Sequence, residues 1–318
     1  HTTSAPTHAR RDFKAKPQIM SAPEKQHIHT WLEENLATLE PPVMNKMMYG
    51  DGQLKIMYVG GPNVRSDYHL EAGEELFYMH KGEMLLKIVL KNKFVDVPIK
   101  EGELLLLPGR IPHSPQRFKD TVGLVLERDR TKEETDCLRW YVPDPESPPE
   151  PLYEAFFHCT DLVTQLKPVI AAFYASEQKK TGKPLPGTIM EASKTPIQPN
   201  SEIDIPKPVN LAAWVQENSL RIASSARGYD ALSDHGEFKV HFFVGQKSSN
   251  VEFMHEHGEA FIWQWAGAAD VEILAADGSV SSRISLNKDE VYLIQQGIRY
   301  RMVRLEHSQG FVIRMVPQ

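Results

Sequence analysis

The chain has 318 residues, with a hydrophobic fraction of 41% and a charged fraction of 25%, which is typical of a globular protein long enough for two domains. Its formal charge of −6, with both signs interspersed, excludes the basic surface that binds nucleic acid. No apolar run approaches the ~20 residues of a membrane-spanning helix, so neither nucleic acid nor a membrane is an expected partner.

The N-terminal region predicts an arm and then a helix. Residues 1–20 contain no apolar segment, and we expect them to form a flexible arm. Ser21-Ala-Pro-Glu24 has the spacing of a capping box, which predicts the start of a helix. Apolar residues then recur at helical spacing from Ile28 to Leu39, and Pro41-Pro42 predict the end of this helix.

Six short β-rich segments follow, separated by turn residues such as Gly-Pro, Lys-Gly and Glu-Gly. This close and regular spacing predicts a mainly β protein, a sandwich or barrel, with a few flanking helices. The predicted strands are LKIMYVG (54–60), ELFYMH (75–80), EMLLKIVL (83–90), FVDVPI (94–99), ELLLLP (103–108) and VGLVLE (122–127).

The first half of the chain is echoed in the second half. A Pro-rich turn at 143–151 and a predicted helix at about 161–180 precede a segment rich in Pro, Gly, Ser and Thr. Beyond it, four motifs recur in the same order, beginning with Trp31-Leu-Glu-Glu-Asn and Trp214-Val-Gln-Glu-Asn. The repeat predicts two copies of one β-barrel domain, at 21–180 and 209–318, joined by a linker at 181–208.

Three residues of the first copy have the spacing and chemistry of a metal site. His69 and Glu75 lie six residues apart across a short loop, and His113 follows a Gly and a Pro downstream. Two imidazoles and one carboxylate make a facial triad, which suits Fe(II) and leaves coordination positions open for substrate and O2. We therefore predict one Fe(II) per chain, bound by His69, Glu75 and His113.

These residues resemble the motifs of the cupin superfamily, whose members are double-stranded β-helix or jelly-roll barrels. The first motif of that superfamily is matched by Gly61, His69, Glu75 and Gly82, and the second by Gly102, Pro108 and His113. Glu71 stands where typical cupins have a second histidine, so three of their four ligands remain. The resemblance implies two cupin barrels.

Longer stretches resemble one cupin family, the 3-hydroxyanthranilate 3,4-dioxygenases. These stretches are GGPNVRSDYH, EAGEELFY and LLPGRIPHSPQRF. The resemblance implies Fe(II)-dependent opening of the ring of 3-hydroxyanthranilate with O2, to 2-amino-3-carboxymuconate semialdehyde, on the kynurenine route to quinolinate and NAD. It implies iron ligation by His69, Glu75 and His113. It also implies a catalytic, dioxygen-binding Arg65, a substrate-binding Arg117, and a Glu127 that is both catalytic and substrate-binding, with Glu75 beside the substrate as well.

Several residues near this site also have simpler interpretations. Glu71 and Glu74 are most simply solvated turn acids, although Glu71 is the main rival of Glu75 as a ligand. Arg110 and Arg128 are interpreted as surface residues or as supports of the site from outside it.

In the second copy, Glu259 aligns with Glu75, Phe253 with His69, and Tyr300 with His113. His255 falls where other cupins keep their second histidine. With two ligands lost, we expect a degenerate barrel without metal, whose Phe242, Phe243, Phe261, Trp263 and Trp265 serve as core or domain interface.

The remaining expectations concern location, assembly and rival functions. Cys137 and Cys159 are too few for a disulfide framework, which favours reduced thiols in a cytoplasmic protein.

No cysteine follows Cys159, so the Cys-rich C-terminal iron site associated with bacterial members of the family is excluded. This fits the animal type of the family, a monomer with both barrels in one chain. The rival functions are a non-catalytic bicupin that binds a small acid, and a metal-dependent cupin isomerase that does not use O2.

Overall fold

The structure is a computed structural model that describes residues 23–39, 44–144, 147–162, 164–200, 202–230, 236–245 and 251–315. The predicted arm at 1–20, the start of the predicted capping box and the predicted helix end at Pro41-Pro42 lie outside the described residues. Within the ranges given above, no helix is both long and apolar enough to cross a membrane.

The protein is built mainly from β-strands, as predicted. In chain order the strands are β1 (Gln26–His27), β2 (Asn45–Tyr49), β3 (Leu54–Gly60), β4 (Tyr68–Leu70), β5 (Glu75–Lys81), β6 (Met84–Leu90), β7 (Lys93–Ile99), β8 (Glu103–Leu107), β9 (His113–Arg117), β10 (Val122–Arg128), β11 (Asp136–Tyr141), β12 (Pro151–Phe157), β13 (Val209–Asn210), β14 (Tyr229–Asp230), β15 (Phe238–Val244), β16 (Glu252–Phe253), β17 (Ala260–Ala266), β18 (Ala269–Leu274), β19 (Val280–Leu286), β20 (Glu290–Ile294), β21 (Tyr300–Arg304) and β22 (Gln309–Met315). The six predicted strands correspond to β3, β5, β6, β7, β8 and β10, with ends that agree within one residue.

These strands form two barrels, each made of two antiparallel sheets. The sheets of the first barrel have the strand orders β13-β8-β5-β10-β3-β2 and β12-β11-β4-β9-β6-β7. Those of the second barrel have the orders β1-β20-β17-β22-β15-β14 and β16-β21-β18-β19. The first sheets of the two barrels correspond strand by strand, and β16-β21-β18-β19 corresponds to β4-β9-β6-β7. In the part of the chain that the structure describes, β11 and β12 have no counterpart in the second barrel. Two related barrels are the architecture that the sequence repeat and the cupin resemblance predict.

The two barrels exchange short edge strands. β1 precedes the first barrel in the chain but pairs with β20 of the second, through Gln26↔Val291 and His27↔Glu290. β13 precedes the second barrel but pairs with β8 of the first, through Val209↔Leu104 and Asn210↔Glu103. Each exchanged strand covers a sheet edge that would otherwise expose unpaired backbone groups.

The helices flank the barrels and differ in part from the prediction. They are α1 (Ile28–Asn35), α2 (Leu166–Ala175), α3 (Glu177–Thr181), α4 (Leu211–Glu217) and α5 (Ser219–Ser224). The prediction that a helix starts at the capping box was wrong, because the chain is still extended at β1 and the ring of His27 caps α1 instead. The segment predicted as one helix at 161–180 contains two helices, α2 and α3. They are separated at Ser176, where the backbone is extended.

A continuous apolar core joins the facing sheets of the two barrels. Residues of β3 such as Leu54 and Ile56 lie in one cluster with residues of β15 such as Phe238 and Phe242. The rings of Tyr78 and Trp263 meet edge to face across this boundary, with centroids 5.2 Å apart. Separate apolar clusters fill the inside of each barrel. Phe242, Phe261 and Trp263 are therefore interface residues and Phe243 is a core residue, as expected.

Two glutamates make reciprocal contacts between the barrels. Glu74 Oε2 accepts a hydrogen bond from the backbone N–H of Phe238 at 2.9 Å, and Glu259 Oε2 accepts one from the N–H of Leu54 at 2.9 Å. Because Leu54 and Phe238 begin the equivalent strands β3 and β15, Glu259 is the counterpart of Glu74. The alignment of Glu259 with Glu75 was therefore wrong by one residue, and Ala260 takes the position of Glu75. The interpretation of Glu74 as a solvated turn acid was also wrong.

Candidate metal centre

The two predicted histidine ligands face each other on neighbouring strands of the first barrel. His69 on β4 is the register partner of His113 on β9, and their ring centroids are 5.6 Å apart. Glu75 is the first residue of β5 in the opposite sheet. All three side chains are buried, with exposed fractions between 3% and 8%. Buried polar groups need partners, so this arrangement requires either mutual contacts or a bound ion.

Hydrogen bonds fix the orientation of both imidazole rings. His113 Nδ1 lies 2.9 Å from the carbonyl oxygen of Ile111, so Nδ1–H donates there and Nε2 points at Glu75 Oε2, 2.8 Å away. His69 Nε2 lies 2.8 Å from Asp136 Oδ2, so Nδ1 is the nitrogen left on the side of Glu71, whose Oε1 is 3.9 Å away. A carboxylate or carbonyl behind each ligating histidine is the usual way in which proteins orient metal ligands.

Electrostatics within the cavity favour a charged Glu75. Burial opposes ionisation of Glu75, but His113, His69 and Arg117 outweigh burial and hold its pKa below the usual range. Burial alone would lower the pKa of His113, and Glu75 reverses this and raises it. The two groups therefore form a buried ion pair here, at a position where a divalent cation would replace the proton of His113.

The structure corrects the sequence interpretation of Glu71. Its side chain is buried rather than solvated, and its Oε2 forms an ion pair with Arg130. Ligand atoms of His69, Glu71 and His113 lie within 4.8 Å of one another, so Glu71 forms a compact set of possible ligands with the two histidines. Glu75 contacts the same set through His113, at 2.8 Å. Within the described part of the chain, Glu71 Oε1 and Glu75 Oε2 have no hydrogen-bond partner of good geometry. Two such buried oxygens beside two imidazole nitrogens fit a divalent metal ion.

Arg130, which the sequence analysis did not single out, binds three carboxylates behind the centre. Besides Glu71, its guanidinium contacts Glu127 Oε2 at 2.5 Å and Asp136 Oδ2 at 3.0 Å. Burial raises the pKa of Glu71 and of Glu127, and Arg130 partly offsets this effect in both. Arg130 thus connects Glu71 with Glu127, the predicted catalytic acid, and with Asp136, the hydrogen-bond partner of His69.

Arg128 and Arg110, each interpreted from the sequence as a surface residue or as a support of the site, lie in different environments. Arg128 is buried and pairs with Glu134 at 2.6 Å and with Glu237 of the second barrel at 3.1 Å, so it joins the barrels. The side chain of Arg110 is exposed, which agrees with its interpretation as a surface residue.

All six predicted site residues line one cavity inside the first barrel. The rest of its wall is mainly apolar, with Met57, Val125 and Leu166 among the side chains, and also includes Asn45 and Asn63. The cavity has a volume of about 40 Å³, enough for a metal ion and a water molecule. The predicted residues that it brings together are Arg65, His69, Glu75, His113, Arg117 and Glu127.

The two cavity arginines differ in how their charge is balanced. Arg65 is held by Asp67, with Nε 3.1 Å from Oδ2 and a second contact from Nη2. Arg117 is 3% exposed, and its Nε has no hydrogen-bond partner in the described ranges. Burial lowers the pKa of Arg117 to about 10, because no carboxylate is near enough to compensate fully for its desolvation. Arg117 is therefore the cavity group most in need of an anionic partner.

The corresponding place in the second barrel carries none of these ligands. Phe253 pairs in register with Tyr300 as His69 pairs with His113, so the predicted alignment of these two positions is confirmed. With Ala260 in place of Glu75, all three ligand positions hold side chains that do not bind metals as a rule. That the second barrel binds no metal stays a prediction.

Comparisons of the sequence with a family model and with known proteins point to one family. The sequence model of the 3-hydroxyanthranilic acid dioxygenase family matches residues 20–174. A 3-hydroxyanthranilate 3,4-dioxygenase of Nematostella vectensis is 46% identical over 283 residues, which are 89% of this chain and 96% of that protein. Enzymes of the same name from Mus musculus and Homo sapiens are 41% and 40% identical, each over 92% of this chain and 95% of their own length.

Proposed function

This chain belongs to the 3-hydroxyanthranilate 3,4-dioxygenase family, and on that premise we propose that it opens the ring of 3-hydroxyanthranilate with O2. The product would be 2-amino-3-carboxymuconate semialdehyde, the precursor of quinolinate in NAD biosynthesis. The observation that carries the proposal is the composition of one cavity. Two oriented histidines and a charged glutamate lie there together with Arg117, a buried cation without a full partner.

We propose that His69, Glu75 and His113 bind one Fe(II). Iron bound there would supply the redox chemistry between substrate and O2. Glu75 is preferred over Glu71 because Arg130 already neutralises Glu71, whereas Glu75 makes its closest contact with a ligand histidine. Glu71 then supports the centre from behind.

This choice predicts different losses in two matched variants. Glu75→Gln should lose iron on dialysis against a chelator, because an amide is a poor ligand and brings no charge. Glu71→Gln should keep iron, with an affinity lowered by no more than roughly 100-fold, as for other residues that support a ligand. Iron content against chelator concentration measures both. If Glu75→Gln keeps its iron and Glu71→Gln loses it, Glu71 is the ligand and Glu75 is the residue that supports it.

The side chains of the cavity can bind and orient the substrate. The planar guanidinium of Arg117 offers parallel donors to a ring carboxylate, in a site where water does not compete. Glu127, whose pKa burial raises, is suited to take the proton that the hydroxyl or amine of the substrate loses. Arg65 places a cation on the same cavity, where it would stabilise negative charge that develops on dioxygen. Because an aromatic acid exceeds 40 Å³, its binding requires the lining side chains to move apart.

Arg117→Ala is expected to raise KM for 3-hydroxyanthranilate by roughly 10- to 150-fold, with a smaller change in kcat. A hydrogen bond to a charged group contributes about 1.5–3 kcal/mol, and the loss falls on substrate binding. Steady-state kinetics at fixed O2 measures it. Lys119→Ala removes an exposed cation two residues further along and should leave KM unchanged. An unchanged KM in Arg117→Ala would remove Arg117 from the carboxylate site.

The proposal can be tested against its rivals by metal exchange. The metal-free chain is loaded without air with Fe(II), Zn(II) or Mn(II) and then given 3-hydroxyanthranilate before and after O2 is admitted. Ring opening should require both Fe(II) and O2. Substrate conversion by the Zn(II) or Mn(II) form without O2 would favour an isomerase, and tight binding without any conversion would favour a non-catalytic acid-binding protein.

We also propose a cytoplasmic monomer with domains at 21–180 and 209–318, a linker at 181–208 and an N-terminal arm at 1–20. Cys137 and Cys159 are free and buried, and free thiols suit a reducing compartment. The second barrel covers an apolar sheet of the first, which is the surface that a second subunit would otherwise cover. The exchanged strands β1 and β13 make the two domains interdependent.

A further inference from the structure

We propose that the second barrel binds a small single-ring carboxylate, without a metal, at the place equivalent to the metal centre of the first barrel. The cavity there is lined by residues that are chemically unlike their counterparts in the first barrel. Its volume is about 240 Å³, at the small end for ligand pockets and suited to one aromatic ring rather than a nucleotide. This inference stands independently of the proposed reaction.

Aromatic and apolar side chains form the walls of this cavity. Phe253 and Tyr300 stack with ring centroids 5.5 Å apart, and Phe243 meets Phe253 edge to face at 5.9 Å. Val312 and Met254 complete the apolar lining. Such walls favour a planar ring, which can stack on one face and meet another ring at its edge.

The polar groups of the cavity favour an anion. Arg314 on β22 takes the position that Glu127 has on β10, so an acid has been replaced by a guanidinium. Arg227 lies over the ring of Phe253, 5.9 Å from its centroid. Arg314 is half-buried, and its positive charge acts on both histidines of the cavity, His241 and His255. A single acidic residue, Glu252, contributes to the lining, and its side chain is exposed.

Two histidines contribute hydrogen-bonding capacity rather than positive charge. His255 Nε2 lies 3.1 Å from the hydroxyl of Tyr300, and both ring nitrogens of His241 are buried. Burial, together with the charge of Arg314, lowers the pKa of both rings, that of His255 to about 4. Neutral imidazoles beside an arginine suit a carboxylate, because they can donate to its second oxygen without holding a metal in the absence of acidic co-ligands.

The test uses two methionines that report separately on the two barrels. Met254 lines the cavity of the second barrel and Met57 lines that of the first. The full chain, labelled with [13C-methyl]methionine and loaded with Zn(II) to stay diamagnetic, is titrated with benzoate, and Met254→Leu and Met57→Leu identify the two signals. Benzoate should shift the Met254 signal to saturation. Benzamide, which has the same shape and no charge, should not.

Variants then locate the anion. Arg314→Gln should weaken the benzoate response of Met254 by at least 10-fold and leave the response of Met57 unchanged. Arg227→Gln changes an exposed residue at the edge of the same cavity and should weaken the Met254 response less. The proposal is overturned if Met254 does not respond in the wild-type chain, if benzamide acts as well as benzoate, or if Arg314→Gln responds like wild type.

Discussion

His113→Ala is expected to abolish both iron retention and ring-opening activity. The ring of His113 is 3% exposed, is oriented by the carbonyl of Ile111 and points Nε2 at Glu75, and β9 contains no second imidazole that could replace it. Loss of a residue that only supports a ligand already costs 10- to 100-fold in metal affinity, and loss of the ligand itself costs more. Iron per chain after dialysis and turnover with 3-hydroxyanthranilate measure the two losses.

The control for this variant is His257→Ala, which removes an exposed histidine of the second barrel and should change neither quantity. Thermal unfolding of the metal-free forms shows whether His113→Ala still folds. Wild-type iron content in a folded His113→Ala chain would contradict the assignment of this residue as a ligand.

Arg130→Met is expected to destabilise the protein by about 3–5 kcal/mol, the usual result of removing one partner from a buried ion-pair network. Arg130 contacts Glu71, Glu127 and Asp136, and each of these carboxylates is at most 4% exposed. Without the guanidinium, three acids share an apolar environment. Denaturant unfolding of the metal-free chain measures the free energy of unfolding.

Two further variants separate this effect from a general loss of charge. Arg283→Met removes an arginine that is 56% exposed and should cost at most about 1 kcal/mol. Arg130→Lys keeps one charge and should recover part of the lost stability. Because Asp136 orients His69, Arg130→Met should also bind iron more weakly than wild type. A loss of stability no larger than that of Arg283→Met would show that the cluster is not held by Arg130.

The sequence predicted the strands that are recognisable from their own run of apolar residues. It missed strands that form only because they pair with a neighbouring strand. β3, β6 and β8 are near-continuous apolar runs bounded by turns, and they are recognisable without neighbours. β9 reads His-Ser-Pro-Gln-Arg, a composition that favours no strand, and it becomes one because β4 and β6 pair with it. The helix start was misplaced for a related reason, since pairing of β1 with the distant β20 overrides the local capping signal.

The sequence indicated which residues meet in the cavity of the first barrel, but not what surrounds them. His69, Glu75 and His113 could be named as candidate ligands because their spacing is a motif, and the structure places all three in that cavity. Arg130 and Asp136 could not, because their roles arise only when β10 and β11 bring them behind His69. Glu71 and Glu74 both looked like turn acids, since a sequence shows polarity and not burial. The predicted alignment of Glu259 was wrong by one residue because the first barrel has two adjacent glutamates, Glu74 and Glu75, and the second barrel has only one at this place.

If this chain is an iron-dependent ring-opening dioxygenase, O2 uptake and ring opening must occur together on the iron-loaded protein. Protein loaded with Fe(II) in the absence of air is mixed with 3-hydroxyanthranilate and air, while O2 uptake and near-ultraviolet absorbance are recorded together. We expect one O2 consumed per substrate, and a ring-opened product whose absorbance decays as quinolinate forms. Absence of O2 uptake by a chain that carries one iron would leave the metal site in place and contradict the dioxygenase assignment.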